Sequence, residues 1–292
     1  MPAERFVRLQ RMHFFMCDAL PMLLTICLPL WVDRSLFMWQ GIAIGIGMWF
    51  LVGGVGISVG FHRHFSHRAF SAHHFIRFMM GVCGCMAAQG SPIYWVALHR
   101  MHHTHSDRPA DPHSPQTQAN QKTTPFRGFM QGHIGWVVRH DVPLPSRYAR
   151  ELMADPLVKT VSNHYLLWVG LGLALPTALG AFWLGAELGM AHASLLGLYW
   201  GGLFRLAIGH HLIWSINSVC HWAGKRPHAT GDHSTNVAWL ALPTFGESWH
   251  NNHHSAPTHA KFGQQWWQID LGWWVIACWQ KLSLVTVRKA QA

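Results

Sequence analysis

Long apolar stretches dominate the chain, and four of them are long enough to cross a bilayer, which takes about 20 mostly apolar residues. They lie at residues 13–32, 36–61, 165–184 and 190–214. Asp18 and Pro21 interrupt the first stretch. Basic residues precede it, as in a signal peptide, but it shows no small-residue cleavage site and a second stretch follows at once. We therefore expect a retained helix.

The basic residues predict how these helices are oriented. Loops 33–35 and 185–189 hold one arginine between them, whereas most Lys and Arg residues lie in 62–164 and 215–292. Short loops rich in Lys and Arg stay on the cytoplasmic side. The pattern therefore predicts an all-α membrane protein with four transmembrane helices and a cytoplasmic cap made of these two long segments. Both termini are expected on the cytoplasmic side, and residues 1–292 are expected to form one domain.

A fifth apolar stretch, at 74–98, is also long enough to span. If it did, the histidines on its two sides would lie on opposite faces of the membrane. Arg77, Gly90 and Pro92 also weaken it as a span. We expect it to be embedded or interfacial on the cytoplasmic side.

Composition supports a membrane location. Only 12% of the residues are charged, against about 25% in soluble domains. The formal charge of +10 suits either nucleic acid or a membrane, but nucleic-acid binders cluster their basic residues on a polar surface. We therefore expect a lipid bilayer and no nucleic acid as a partner. The six cysteines form no C-x-x-C pair, so we expect reduced packing residues, with neither a disulfide framework nor a thiolate metal site.

Histidine is the unusual residue, at 24 copies. Three dense boxes, HRHFSH (62–67), HRMHH (99–103) and HNNHH (250–254), all fall on the predicted cytoplasmic side. In H-x-x-H-H, positions i, i+3 and i+4 share a helix face. The three histidines of the second box can therefore point at one place, and so can those of the third, but spacing does not decide which histidine binds which ion. His62 and His67 stand about 140° apart on an α-helix, so they need a helix end between them or two different targets.

These boxes offer eight histidines at the repeated positions. That is too many for one ion, whereas two ions with four or five ligands each would use them well. Imidazole suits Zn, Cu, Fe and Ni, so the ligand type does not choose the metal. The H-E-x-x-H motif of zinc proteases is absent from the sequence.

The boxes, in this order, resemble those of integral-membrane fatty acid desaturases. The resemblance covers about residues 40–285 and includes WVALHRMHH, DPHSP, GHIGWV, WSINSVCHWAGKRP, ESWHNNHH and WWQIDLGWWVI. It implies two iron ions held by His62, His67, His99, His102, His103, His221, His250, His253 and His254. It also implies that Asn217 reaches an iron through water, and that no catalytic residue exists beyond the metal ligands. Asn217 and His221 are four apart, so one helix face presents both.

Other polar residues near the boxes have weaker indications. We expect Asp107, Asp111, His113, Asp232 and Glu247 either to orient ligand imidazoles or to be ordinary surface groups. His64 and His105 lie off the repeated spacing and are not expected to be ligands. Arg205 falls inside the fourth apolar stretch, where a charged side chain is costly. We expect it either to have a function or to pair with a local partner.

The resemblance implies O2-dependent insertion of a cis double bond, at Δ9 by family default, into an acyl chain of acyl-CoA or acyl-lipid. Animal acyl-CoA desaturases have an Arg-Asp pair where this chain has Ala97-Leu98, which weakens the acyl-CoA assignment. No H-P-G-G haem signature is present, so ferredoxin or cytochrome b5 is implied as an external electron donor. A bacterial inner membrane is the expected location. Trp and Met residues around 79–97 are expected to line an acyl channel or simply to pack.

Two alternatives remain at this stage. A histidine-box hydroxylase of alkanes or fatty acids belongs to the same superfamily, although such enzymes resemble H-x-x-x-H-H in the second box, where this chain has H-x-x-H-H. A membrane metal-binding or transport protein would use the same ligands without consuming O2.

Overall fold

The computed structural model describes residues 4–31, 37–116 and 124–288, and it is mostly helical. The predicted turn at 33–35 lies outside the described residues. Helix α1 spans residues 4–31, and helix α2 is Trp39–Ser66. After strand β1 (Phe70–Ala72) come α3 (His74–Cys85) and α4 (Pro92–His105).

Four shorter helices follow and lead to the second pair of long helices. Helix α5 covers residues 125–138. The next three are α6 (Pro145–Tyr148), α7 (Arg150–Ala154) and α8 (Pro156–Asn163). The second long pair is α9 (Tyr165–Leu188) and α10 (residues 190–218).

The last part of the chain is irregular between short elements. Single turns at Val219–His221 and Ala238–Leu240 precede α11 (His250–Ser255) and α12 (Leu271–Lys281). Strand β2 (Val285–Val287) pairs antiparallel with β1. This pair is a small departure from the all-α prediction.

Among the described residues, three helices are long and apolar enough to cross a membrane, namely Phe6–Trp31, Trp39–Ser66 and Tyr165–Leu188. They coincide with the first three predicted stretches, apart from their ends. The fourth stretch is a continuous helix, α10, but it is not among these three. It contains Arg205, His210 and His211, which lower its apolar character.

The stretch 74–98 is not one helix but a helical hairpin. A Cβ at Gly56 of α2 would lie 2.5 Å from Cys83 of α3, and a Cβ at Gly60 would lie 2.8 Å from Met80. These contacts pair rising residue numbers in α2 with falling residue numbers in α3, so the two helices are antiparallel. Helix α4 then returns, and His67 and His99 end with ring centroids 4.9 Å apart. The two histidine boxes therefore meet on one side.

Backbone carbonyls at the tip of this hairpin, residues 86–90, help to pair a buried charged side chain on α10. Arg205 donates to the carbonyls of Met86 (3.0 Å), Gly172 (3.0 Å) and Gly201 (2.7 Å). His210 Nε2 donates to the carbonyl of Ala87 at 2.6 Å. A helix end away from water needs such partners for its backbone groups. Arg205 therefore pairs locally, with backbone carbonyls.

Candidate metal centre

Nine histidine side chains gather into two adjacent groups. The group of five contains His62, His67, His99, His103 and His253. The group of four contains His102, His221, His250 and His254. In each group the nitrogens that face inward lie within 4.8 Å of one another. The structure thus brings together all nine histidines named from the sequence, in the four-and-five division that two ions would need.

The inward atoms are mostly Nε2. In the group of five, His253 Nε2 lies 3.0 Å from His62 Nε2 and 3.1 Å from His103 Nε2. In the group of four, His221 Nε2 lies 3.0 Å from His250 Nε2. Ring nitrogens lie this close together when several imidazoles point at one position. An ion there would take several lone pairs at once.

Helix geometry sets how each box divides between the groups. In α4, His99 and His103 join the group of five while His102 joins the group of four. In α11, His250 and His254 join the group of four while His253 joins the group of five. Each H-x-x-H-H therefore serves both groups, a division that spacing left open. Positions i and i+4 differ by about 40° around the axis, but i+3 lies about 100° from i+4.

The first box reaches one target across a helix end, since α2 ends at Ser66 and His67 is its C-terminal cap. The last turns of α2 are wide, and the backbone N–H of His67 bonds the carbonyl of His62 five residues earlier at 3.2 Å. This i to i+5 pattern brings His67 back over His62, with ring centroids 4.9 Å apart. Of the two predicted alternatives, a helix end between the two histidines or two targets, the structure therefore has the first.

In four of the nine histidines, the ring nitrogen that faces away from the group is hydrogen-bonded to a carboxylate. Nδ1 of His102 donates to Asp111 (2.9 Å), that of His221 to Asp107 (2.8 Å) and that of His254 to Asp232 (2.6 Å). His62 pairs in the same way with Glu247. A carboxylate on Nδ1 fixes the ring and leaves Nε2 as the ligand atom. All four acids named from the sequence occupy these positions.

Electrostatics favours ionised acids and, at six of the nine histidines, neutral imidazoles. At His102 the effect of burial is outweighed by Asp111 and neighbouring acids, which raise its pKa. Burial, together with neighbouring histidines, holds the pKa of His99 and His103 well below the usual range, and burial lowers that of His254 to about 4. Burial alone would raise the pKa of Asp107, but the hydrogen bond and charge of His221, together with hydrogen bonds from Ser114 and the backbone of His233, outweigh it and lower that pKa to about 2. Neutral imidazole is the form that binds metal.

Unpaired atoms also fit a bound ion. His254 Nε2 is buried and has no hydrogen-bond partner among the described residues, although its Nδ1 is paired. A buried polar atom without a partner is costly. The donor set, nine imidazoles and no thiolate, suits iron as well as zinc or copper. The residues present therefore fit two metal ions, and iron is among those they suit.

The remaining named histidines lie outside the two groups. His64 Nδ1 bonds the carbonyl of Phe70 at 3.0 Å, and His105 Nε2 lies 3.2 Å from the Tyr148 hydroxyl. His113 is buried beside His102, with ring centroids 4.5 Å apart, and its backbone N–H donates to Asp111. His113 therefore supports the group of four from one side.

Sequence reasoning missed the residue that ties the centre together, Arg63. Its guanidinium is fully buried, lies 2.8 Å from Asp270 and 3.3 Å from Glu247, and donates to the carbonyl of Ala260 at 2.8 Å. It also stacks on Phe262, at 3.9 Å from the ring centroid. The sequence offered one signal, the position of Arg63 inside HRHFSH. A solvent-exposed arginine is not expected among residues whose side chains face inward.

A mainly apolar cavity opens beside both groups. Its wall contains His62, His99, His102 and His250, and Asn217 lies in the same wall. The rest comes chiefly from Trp49, Gly53, Ile57, Trp95, Ile213, Ile216, Thr244 and Phe245. Within 79–97, Trp95 is the residue that lines this cavity, whereas Met80, Val82 and Cys85 pack in the core. Of the Trp and Met residues in that stretch, Trp95 therefore lines the cavity while Met80 and Met86 pack, and an acyl channel stays a prediction.

The chain belongs to the fatty acid desaturase family, whose family model matches residues 33–280. It is 42% identical over 288 residues to a hex-5-enoyl-[acyl-carrier protein] acetylenase of Moorena producens (strain JHB), covering 95% of this chain and 85% of that protein. It is 35% identical over 258 residues to the sn-1 stearoyl-lipid 9-desaturase of Anabaena variabilis (86% and 85%). It is 34% identical over 256 residues to an acyl-CoA C20 Delta5-desaturase of Anemone leveillei (86% and 75%).

The predicted family is thereby confirmed, and the protein is a membrane-type oxidoreductase of lipid metabolism. The metal-transport alternative is not supported. By their names, the three relatives act on acyl chains attached to acyl-carrier protein, lipid and CoA, respectively. Family membership therefore does not fix the carrier.

Proposed function

We propose that the protein uses O2 and two external electrons to insert a cis double bond into a saturated acyl chain of a membrane lipid, at Δ9. The observation that carries this proposal is the apolar cavity whose wall includes histidines of both groups. A saturated chain in that cavity would lie against the metal centre. The lipid carrier is supported by Ala97-Leu98 and by relatives named as acyl-lipid 9-desaturases.

The nine histidines are proposed to hold two iron ions, one in each group, and Asn217 to reach an iron through water from the cavity wall. Iron, when bound, supplies the O2 chemistry that removes hydrogen from unactivated CH2 groups, which no amino-acid side chain can do. The chain's own residues do the rest. Asp107, Asp111 and Glu247 fix ligand rings, and the apolar wall excludes water and aligns the acyl chain.

The proposed topology follows the sequence pattern. Helices α1, α2, α9 and α10 cross the bilayer, and both termini and the metal centre face the cytoplasm. Segments 62–164 and 215–292 form the cap of a single domain in a bacterial inner membrane. Electrons come from a separate ferredoxin or cytochrome b5, for which the basic cytoplasmic residues provide complementary charge.

Product analysis tests this function. The full chain is expressed in a host that lacks acyl desaturation, and fatty acids are profiled separately for each lipid class and for thioesters. We expect a new cis monounsaturated chain that appears first in the glycerolipids. A hydroxylated chain without a double bond would contradict the proposal and favour the hydroxylase alternative.

A second candidate is alkyne formation from an alkene, because the relative of 42% identity is named as an acetylenase. The same profile decides between them when the host is also fed a short terminal alkene acid. A terminal alkyne without new monounsaturated lipid would favour this candidate over the lipid desaturase.

The acid on His254 gives a prediction of its own. Asp232→Asn keeps the shape of the side chain but removes the charge that holds His254 Nδ1. Because such partners orient ligand rings, we expect metal affinity or activity to fall about 10–100-fold. Iron titration of the purified protein and product yield measure the effect. Asp141→Asn, at an exposed carboxylate, is the matched control and should change neither; equal losses in both variants would contradict the role of Asp232.

A further inference from the structure

Segment 238–246 packs beside the middle of α2. The indole N–H of Trp49 donates to the carbonyl of Pro243 at 2.9 Å, and the Phe245 ring lies 5.8 Å from the Trp49 ring. Trp49 precedes His62 by 13 positions, which is roughly 15–20 Å along a helix. Because Trp49 stands near the centre of Trp39–Ser66, this segment, unlike the rest of the proposed cap, packs beside the apolar part of the span.

The segment has two different faces. Trp239 and Leu242 are 71% and 58% exposed, and with α2 across the bilayer as proposed they would face lipid chains. Thr244 and Phe245 instead line the cavity that contains the metal-centre histidines. A single layer of residues therefore separates the bilayer from the cavity.

Phe245 is the residue that closes this layer. Its ring is buried between the cavity and Phe50, at 6.0 Å between ring centroids, and Phe50 is 45% exposed on the outer side. A Cβ at Gly54 would come within 2.9 Å of the Phe245 ring, so the missing side chain there makes room for it. Phe245 also has φ of 58°, a strained backbone for a bulky residue that its surroundings must hold in place.

We propose that segment 238–246 is a lateral door, through which the acyl chain of a bilayer lipid passes Phe245 into the cavity. The proposal rests on the proposed function and names the route of its substrate. An acyl chain already in the bilayer at this depth enters without crossing water, so no apolar surface has to be hydrated on the way. A soluble thioester would instead have to enter from the cap.

Photo-crosslinking tests the route without relying on turnover. The full chain is reconstituted in vesicles that contain a phosphatidylcholine with a diazirine in its saturated acyl chain, irradiated, and mapped by mass spectrometry. A parallel sample receives the same acyl chain as a CoA thioester from the aqueous side. We expect the phospholipid to label Ile57 and Ile213, on the cavity wall, more strongly than the thioester does.

Two truncations then address the door itself. Phe245→Ala removes the ring between the cavity and Phe50, and we expect cavity labelling by the phospholipid to rise severalfold. Leu242→Ala, on the outer face of the same segment, is the matched control and should leave cavity labelling unchanged. If Phe245→Ala does not yield a monodisperse protein, Phe245→Leu serves the same purpose with a smaller expected rise.

The outcomes separate the two proposals. Cavity labelling by the phospholipid that Phe245→Ala leaves unchanged would overturn the door and leave the proposed function intact. Cavity labelling by the thioester alone would overturn the door and also the lipid carrier of the proposed function. Absence of cavity labelling from both probes would contradict the acyl cavity, and with it the proposed function.

Discussion

His103→Ala is expected to reduce product formation by more than about 100-fold, since loss of even an outer partner of a metal ligand costs about 10–100-fold. His103 Nε2 lies 3.1 Å from His253 Nε2 in the centre of the group of five. Its removal would take one proposed ligand from the group of five. Product yield per amount of membrane-inserted protein measures the loss.

His105→Ala is the matched control, because it lies two positions later on the same helix and is also half-buried. Its ring nitrogen meets the Tyr148 hydroxyl and faces neither group. We expect it to keep most of the activity. Full activity in His103→Ala would remove that residue from the ligand set, and an equal loss in both variants would show that histidine density, rather than position, matters in this helix.

Arg63→Met is expected to destabilise the fold by about 3–5 kcal/mol, because removing one partner leaves the other charges of a buried network uncompensated. Asp270 is 1% exposed and Glu247 is 8% exposed, and Arg63 is the arginine that contacts both. Methionine fills part of the space but carries no charge. Thermal loss of the monodisperse peak of detergent-solubilised protein measures the effect.

Arg108→Met provides the comparison, because Arg108 is exposed and surface substitutions usually change stability by less than about 0.5 kcal/mol. A small effect of Arg63→Met, equal to that of Arg108→Met, would show that the two acids are stable without their arginine. The double variant Arg63→Met with Asp270→Asn should recover part of the loss, since it removes one of the unpaired charges.

Sequence spacing predicted which histidines gather but not how they divide. Periodicity turns His102 away from His103 by about 100° around α4, but the elements packed around α4 decide which group each of them meets. The position of α11, with the opposite assignment of its H-x-x-H-H, depends on contacts of Asn251 and Asn252 with distant segments. Such tertiary contacts leave no local pattern.

Apolar length predicted α1, α2 and α9 well, because a long apolar run has few alternatives to a helix. It did not predict the hairpin at 74–98 or the segment 238–246. Both depend on single polar groups that satisfy backbone carbonyls away from water, namely Arg205 for Met86 and Trp49 for Pro243. Arg63 was missed for a similar reason, since its charge is visible in the sequence but its burial is set by the fold.

Iron quantification is the most direct test of the two-metal centre. The wild-type chain, purified without added metal, is expected to contain about two irons. His103→Ala and His254→Ala each remove a ligand from one group only, and each is expected to retain about one iron, as a ligand set short of one imidazole loses affinity. About one iron in the wild-type protein, or about two in both variants, would contradict the account of two ions held by separate groups of five and four histidines.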